Sequence, residues 1–167
     1  QKNHMYLLQA VKNMNVKLLI IGDGPNLQKL TDFIKNEKIS DKVEIIKSVT
    51  NINLAGYYTS ADIFVQPMEN LDGIPIPVLE AMACGLPIVI SKHTDGHTEI
   101  IDDTVYFVEN KSESFRNAFE KILTDNNLKI KLRNKSLETI KKISGEKMEN
   151  AELQIYKKLR MDKNDDE

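Results

Sequence analysis

A doubly wound α/β fold, with a parallel sheet covered by helices on both faces, is predicted for this chain by three observations. Short apolar runs alternate with amphipathic stretches of helical period. The apolar runs, such as VKLLII, DIFVQP and LPIVIS, lack the in-and-out alternation of a sheet with one wet face, which marks strands buried on both sides. Gly and Pro punctuate the joints where the runs stop and the helices begin. At 167 residues the chain has the length of one domain with a sizeable core.

Each element has a local reason. Met5, Leu7, Leu8, Ala10, Val11 and Met14 recur near helical spacing and predict a helix over 3–14, with Asn3 as its N-cap. The run 16–25 ends in Gly-x-Gly-Pro and predicts a buried strand opening onto a turn and a helix over 26–37. Strand 43–49 follows, then a helix over 53–61 with Tyr57 and Tyr58 near its end, then strand 61–67. After a loop over 68–76, a helix starts near Pro77, since proline suits the first helical position. It stops at Gly85, where a residue without Cβ can take the left-handed conformation. Strand 86–91, a turn with a short helix over 94–101, and strand 105–109 complete five strands. Helices over 112–124, 126–143 and 145–160 close a domain spanning 1–160, and 161–167 is a polar tail that frays. An opening helix in such a fold wants a strand before it, so the sheet is expected to lack its first strand. Gln1 is not a start residue, and the chain reads as cut from something longer.

Composition excludes several function classes. Hydrophobic residues at 41% and charged residues at 29% are ordinary for a globular protein, and a net charge of −2 argues against a nucleic-acid partner. Cys84 stands alone, which rules out a disulfide framework, suggests a small buried hydrophobe and points to a cytoplasmic setting. No run approaches the ~18 apolar residues of a membrane span, and no signal peptide is evident. His4, His93 and His97 are too scattered to predict a metal site.

The most informative stretch is 72–91, DGIPIPVLEAMACGLPIVIS. Its helix is apolar except for Glu80, expected in the first turn beside the partial positive charge of the helix N-terminus, with seven residues between it and Asp72. The plain reading is that Glu80 answers the helix dipole and Asp72 caps the turn. The other is a site for a phosphorylated polyol: N–H groups at a helix N-terminus bind anions, and a carboxylate one turn on accepts hydrogen bonds from vicinal ribose hydroxyls. In doubly wound sheets ligands bind outside the carboxyl ends of the strands. The loops 22–26, 47–52 and 67–76 are expected to share that rim. Gly22 and Gly24 either approach a phosphate or merely make a tight turn, and no third glycine completes a dinucleotide fingerprint.

The spacing D-x7-E followed by AMACGLPIVIS resembles the E-x7-E signature of retaining glycosyltransferases of family 4, and IIGDGP, YYTSADIFVQP and TDGHTEII match that family's pattern in order. The resemblance extends over roughly 1–143 and implies the Rossmann-like C-terminal, donor-binding half of a GT-B enzyme, with an N-terminal acceptor domain as its partner. Carried over by position, Lys2 matches the lysine that neutralises the donor diphosphate, while the accompanying arginine would precede residue 1. Glu80 would hold ribose hydroxyls and Asp72 would meet sugar hydroxyls. Backbone amides of Gly73, Ile74 and Ile76 would face phosphate and sugar, and Ser48 and Val49 would meet the base. Two positions depart from the pattern: Asp72 is one methylene shorter than the usual glutamate, and Pro75 offers no N–H.

The chemistry implied is transfer of a sugar from a UDP- or GDP-sugar to an acceptor hydroxyl with retained configuration, in cell-surface polysaccharide or glycolipid synthesis. Lys2 and the helix N-terminus would stabilise the departing diphosphate, so neither metal nor other cofactor is called for. The same resemblance implies work at the inner face of the membrane, through peripheral association of the parent. The chain alone is expected to bind nucleoside diphosphate weakly and to transfer nothing, because half the cleft is absent. Alternatives are a nucleotide-sugar epimerase of the same architecture and a non-catalytic flavodoxin-like or receiver-like binding domain, although the paired acids of a receiver are not found.

Overall fold

The structure is a computed structural model, and it describes residues 3–68, 74–91 and 103–143. Six helices and five strands alternate along those residues: α1 (Met5–Val11), β1 (Leu18–Ile21), α2 (Leu27–Asn36), β2 (Val43–Ile46), α3 (Asn51–Ser60), β3 (Phe64–Gln66), α4 (Ile76–Ala83), β4 (Ile88–Ser91), β5 (Val105–Val108), α5 (Ser112–Thr124) and α6 (Asn126–Lys142). Every strand pairing is parallel, as the apolar runs predict. The expectations over 94–101, 145–160 and the tail 161–167 lie outside the described residues.

The strands do not form one sheet. They make a two-stranded sheet, β1-β2, and a three-stranded sheet, β3-β4-β5, with β1 and β3 unpaired to each other. Both share a core, because Leu18, Ile20 and Val43 of the first sheet pack in one cluster with Val89 and Val108 of the second. That cluster also holds Leu7, Leu8, Leu30, Phe115 and Ile122 from α1, α2 and α5. On the other face of β4, Ile88 and Ile90 pack with Val78, Ala81 and Met82 of α4. Helices therefore cover both faces of the second sheet, and β4, flanked by strands and helices, is buried at every residue. The expectation of a fully buried first strand is corrected at Leu19, which is 37% exposed. Its neighbours Leu18 and Ile20 turn into the core cluster, so by the two-residue period of a strand Leu19 faces the opposite side.

Local sequence explains the helices closest to the rim. In α5, Phe115, Ala118, Phe119 and Ile122 recur at i, i+3, i+4 and i+7 and are all buried. Its Arg116 donates from Nε to the Ala10 carbonyl at 3.1 Å and from Nη2 to the Gln9 carbonyl at 3.1 Å, satisfying the open carboxyl end of α1. The opening helix is shorter than 3–14, and its N-cap is His4 rather than Asn3, with no side-chain cap bond. In α6 the Asp125 carboxylate accepts from the Leu128 N–H at 3.0 Å. Its buried face is partly polar: Ser136 donates to the Leu86 carbonyl at 2.7 Å, and the Thr139 and Thr104 hydroxyls meet at 2.6 Å. Among the described residues, no helix is long and apolar enough to cross a membrane.

Candidate functional site

Parallel strands bring their carboxyl ends to one edge. The register Ile21↔Ile46, Gln66↔Ile90 and Ser91↔Val108 brings Gly22, Lys47 and Pro67 to the strand ends, so the predicted rim is real within each sheet. Asp72, Gly73 and Lys2 lie outside the described residues, as do His93 and His97. Ser48 is exposed and Val49 half-buried, between β2 and α3, where a base-binding segment was expected.

The Gly22–Gly24 turn is closed on itself. Gly22 sits at φ 137°, a conformation that favours glycine, and its N–H donates to the Ile46 carbonyl at 2.9 Å. The Gly24 N–H donates to Oδ1 of Asp23 at 2.7 Å. Both amides that could have met a phosphate are therefore engaged, one in the sheet ladder and one by a neighbouring carboxylate.

The start of α4 is arranged differently. The helix begins at Ile76, with Pro75 in the N-cap position and Pro77 second. Val78 and Leu79 donate to the Pro75 carbonyl at 2.9 and 3.4 Å, and Pro77 has no N–H. Ile76 is thus the one first-turn residue whose N–H has no partner among the described residues, and its side chain is 70% exposed. Ile74 is half-buried and packs against the core under α4. Gly85 closes the helix at φ 69°, as its position after MAC predicted.

Glu80 requires a correction. It is the fifth residue of α4, not a first-turn residue, and no acid occupies that first turn. The dipole falls off within one turn, so it does not account for the carboxylate. What holds Glu80 is Tyr58 of α3, whose hydroxyl donates to Oε2 at 2.8 Å. The Tyr58 ring tilts against Phe64, with centroids 5.8 Å apart at 56°. Burial, and then the hydrogen bond to Glu80, push the Tyr58 phenol well above its ordinary range, so it remains a donor. Cys84, expected to be buried, is half-buried. Burial first and Glu80 second raise its thiol as well, which keeps it protonated and a weak nucleophile.

A second arrangement was not read from the sequence. The Met68 N–H donates to Oγ of Ser91 at 3.0 Å, Ser91 Oγ donates to Oδ1 of Asn110 at 3.1 Å, and Asn110 Nδ2 donates to the Met68 carbonyl at 3.2 Å. This triangle ties together the ends of β3, β4 and β5 where the loop before α4 departs. A polar Ser91 closing the apolar strand IVIS was the available signal. One residue before Pro67, Gln66 is 4% exposed, and its Nε2 is the only buried side-chain polar atom without a partner among the described residues.

Comparison with known proteins decides what the arrangement belongs to. Residues 1–142 match the family described as glycosyl transferases group 1. The chain belongs to that family. Among curated relatives, the amylovoran biosynthesis glycosyltransferase AmsD of Erwinia amylovora is 31% identical over 121 residues, covering 71% of this chain and 34% of that protein. The chain thus spans about a third of its length. Among solved structures, sucrose-phosphate synthase of Thermosynechococcus elongatus superposes with a TM-score of 0.80 at 22% identity, over 96% of this chain and 43% of that one. HepE of Anabaena, solved in complex with UDP-glucose, superposes with a TM-score of 0.78 at 16% identity, over 93% and 45%. At such identities the likeness is one of fold, and it is the α/β fold of half a GT-B glycosyltransferase that the group 1 sequence led one to expect.

Proposed function

We propose that this chain is the donor-binding half of a retaining glycosyltransferase that takes a nucleotide-sugar such as a UDP- or GDP-sugar. One observation carries the reading: Glu80 stands half-buried, held by a tyrosine hydroxyl, one turn inside the helix that leaves the strand rim. A carboxylate so fixed accepts hydrogen bonds from two vicinal hydroxyls, which is the pattern a ribose offers. Family membership and the UDP-glucose bound by HepE are its support.

In this reading the Ile76 amide and the N-terminus of α4 face the diphosphate, with Gly73 and Ile74 beside them, and Lys2 neutralises charge as the diphosphate leaves. Asp72 meets the sugar, and Ser48 and Val49 border the base. Gly22 and Gly24 shape the adjoining turn, and Gly24 meets phosphate only if the Asp23 carboxylate moves off its N–H. The reading calls on no metal. Acceptor binding belongs to an N-terminal domain of the parent, and the likeness to a glycosyltransferase of amylovoran biosynthesis supports a role in cell-surface polysaccharide or glycolipid synthesis.

The test is to titrate UDP, GDP and ADP separately into the protein and into Glu80→Gln. One nucleotide binds the unaltered chain, and Glu80→Gln weakens it by about 1–3 kcal/mol through loss of charge-assisted hydrogen bonds, with little change in Tm. Unchanged affinity together with a lower Tm would make Glu80 a structural acid and overturn the reading.

A further inference from the structure

The Glu80 carboxylate has no fixed orientation of its own, because a glutamate turns about three bonds and its helix supplies no partner at that depth. Its anchor comes from another segment. Both α3 and α4 leave the carboxyl end of a strand, so both begin at the rim and run away from it. Tyr58 is the eighth residue of α3 and Glu80 the fifth of α4, which at 1.5 Å per residue puts them about 10 and 6 Å from the rim. Helical side chains lean toward the N-terminus of their helix. The phenol therefore reaches up to the carboxylate from its deeper side, and the 2.8 Å bond occupies one of about four acceptor positions on Glu80. No second hydrogen-bond partner holds that carboxylate among the described residues. The phenol ring is braced on Phe64 and packs against the cluster under α4.

We infer that Tyr58 is a positioning residue for the donor: its hydroxyl fixes the Glu80 carboxylate in the orientation that receives the two ribose hydroxyls. The inference rests on Glu80 being the ribose-binding acid, and it adds a residue that touches no part of the nucleotide. It also gives α3 a function. That helix has no fully buried residue, and Tyr58 packs against the cluster under α4; the rim segment with Ser48 and Val49 precedes one end, and the group that orients Glu80 lies near the other.

Tyr58→Phe keeps the ring and removes only the hydroxyl. The experiment is calorimetric titration of UDP, GDP and ADP into the unaltered chain, Tyr58→Phe, Glu80→Gln and the double variant, with Tm recorded for each. Tyr58→Phe should weaken the nucleotide that binds by about 3–10-fold, as loss of one hydrogen bond acting through a neighbour would. The double variant should bind no more weakly than Glu80→Gln alone, since coupled residues fail to add. Glu80→Asp, which keeps the charge but shortens the reach, should match Tyr58→Phe and keeps the question open to test should that variant fold poorly. Full affinity in Tyr58→Phe beside weakened Glu80→Gln would overturn the inference and leave the ribose reading standing. An equal loss in both backgrounds would overturn it too, because Tyr58 would then act without Glu80. Unchanged affinity in both single variants would remove the ribose reading itself.

Discussion

The junction from β1 into α2 carries two glycines, and the junction from β3 into the first turn of α4 carries three prolines, yet among the described residues the second is the more open to an anion. Glycine lets backbone come close to a ligand, but at Gly22 and Gly24 the amides are occupied, by the Ile46 carbonyl and by the Asp23 carboxylate. Proline removes donors, but between Pro75 and Pro77 the Ile76 N–H, at the head of a helix, has no partner among the described residues. What separates a binding turn from a structural one is whether its donors are already taken. Residue type alone does not decide it.

The comparison is broken most forcefully at Asp72. In the full-length parent, Asp72→Asn is expected to lower kcat about 100-fold or more while KM changes little, because the carboxylate would act on charge developing at the sugar in the transition state. Asp72→Glu should keep substantial activity. Steady-state kinetics of the two variants settle the point, and near-normal rates in Asp72→Asn would make the acid a turn cap, a role asparagine fills as well.

A smaller effect separates the glycines of the first junction. Gly22 is at φ 137°, where a side chain is strained whatever the space, while Gly24 has ordinary φ and nothing within 4 Å of an added Cβ. Gly22→Ala should therefore destabilise the fold by about 1–2 kcal/mol, and Gly24→Ala should stay within about 0.5 kcal/mol of the unaltered protein. Urea unfolding of the pair would show it. Equal losses would mean that Gly24 also serves a close approach.

The smallest effect is one of pH, and it belongs to the second junction alone. The Tyr58 phenol is held above its ordinary value near ~10 by burial and by Glu80. A group whose folded pKa exceeds its unfolded one stabilises the fold fully below the unfolded value and loses that contribution as pH rises beyond it. Stability should thus decline above about pH 10 more steeply in the unaltered protein than in Tyr58→Phe, as thermal melts across that range would record. Parallel declines would mean that the phenol is not protected in the fold.

Much of this was legible in the residues. The five strands, the end of α4 at Gly85 and the helix 112–124 follow from apolar runs, a glycine after an apolar helix and an i, i+3, i+4, i+7 stripe, all of which act over a few neighbouring residues. The start of α4 was misplaced by one residue, enough to move Glu80 out of the first turn, because Pro75 and Pro77 are both plausible starters and only backbone geometry selects between them. Asn3 was a reasonable cap by type, but the chain turns into its helix one residue later.

The alternation of strand and helix, the rim on which the loops gather and the acid within an apolar helix were determined by the sequence alone, since each depends on local periodicity or local backbone preference. Only the tertiary structure decided that α3 has no fully buried residue, that Asp23 takes the Gly24 amide, that Ser91, Asn110 and Met68 close a triangle, and that Tyr58 reaches Glu80. Those last two join residues at least 19 positions apart, and the distance between such residues is set by how helices pack across a sheet, which no short stretch of sequence encodes.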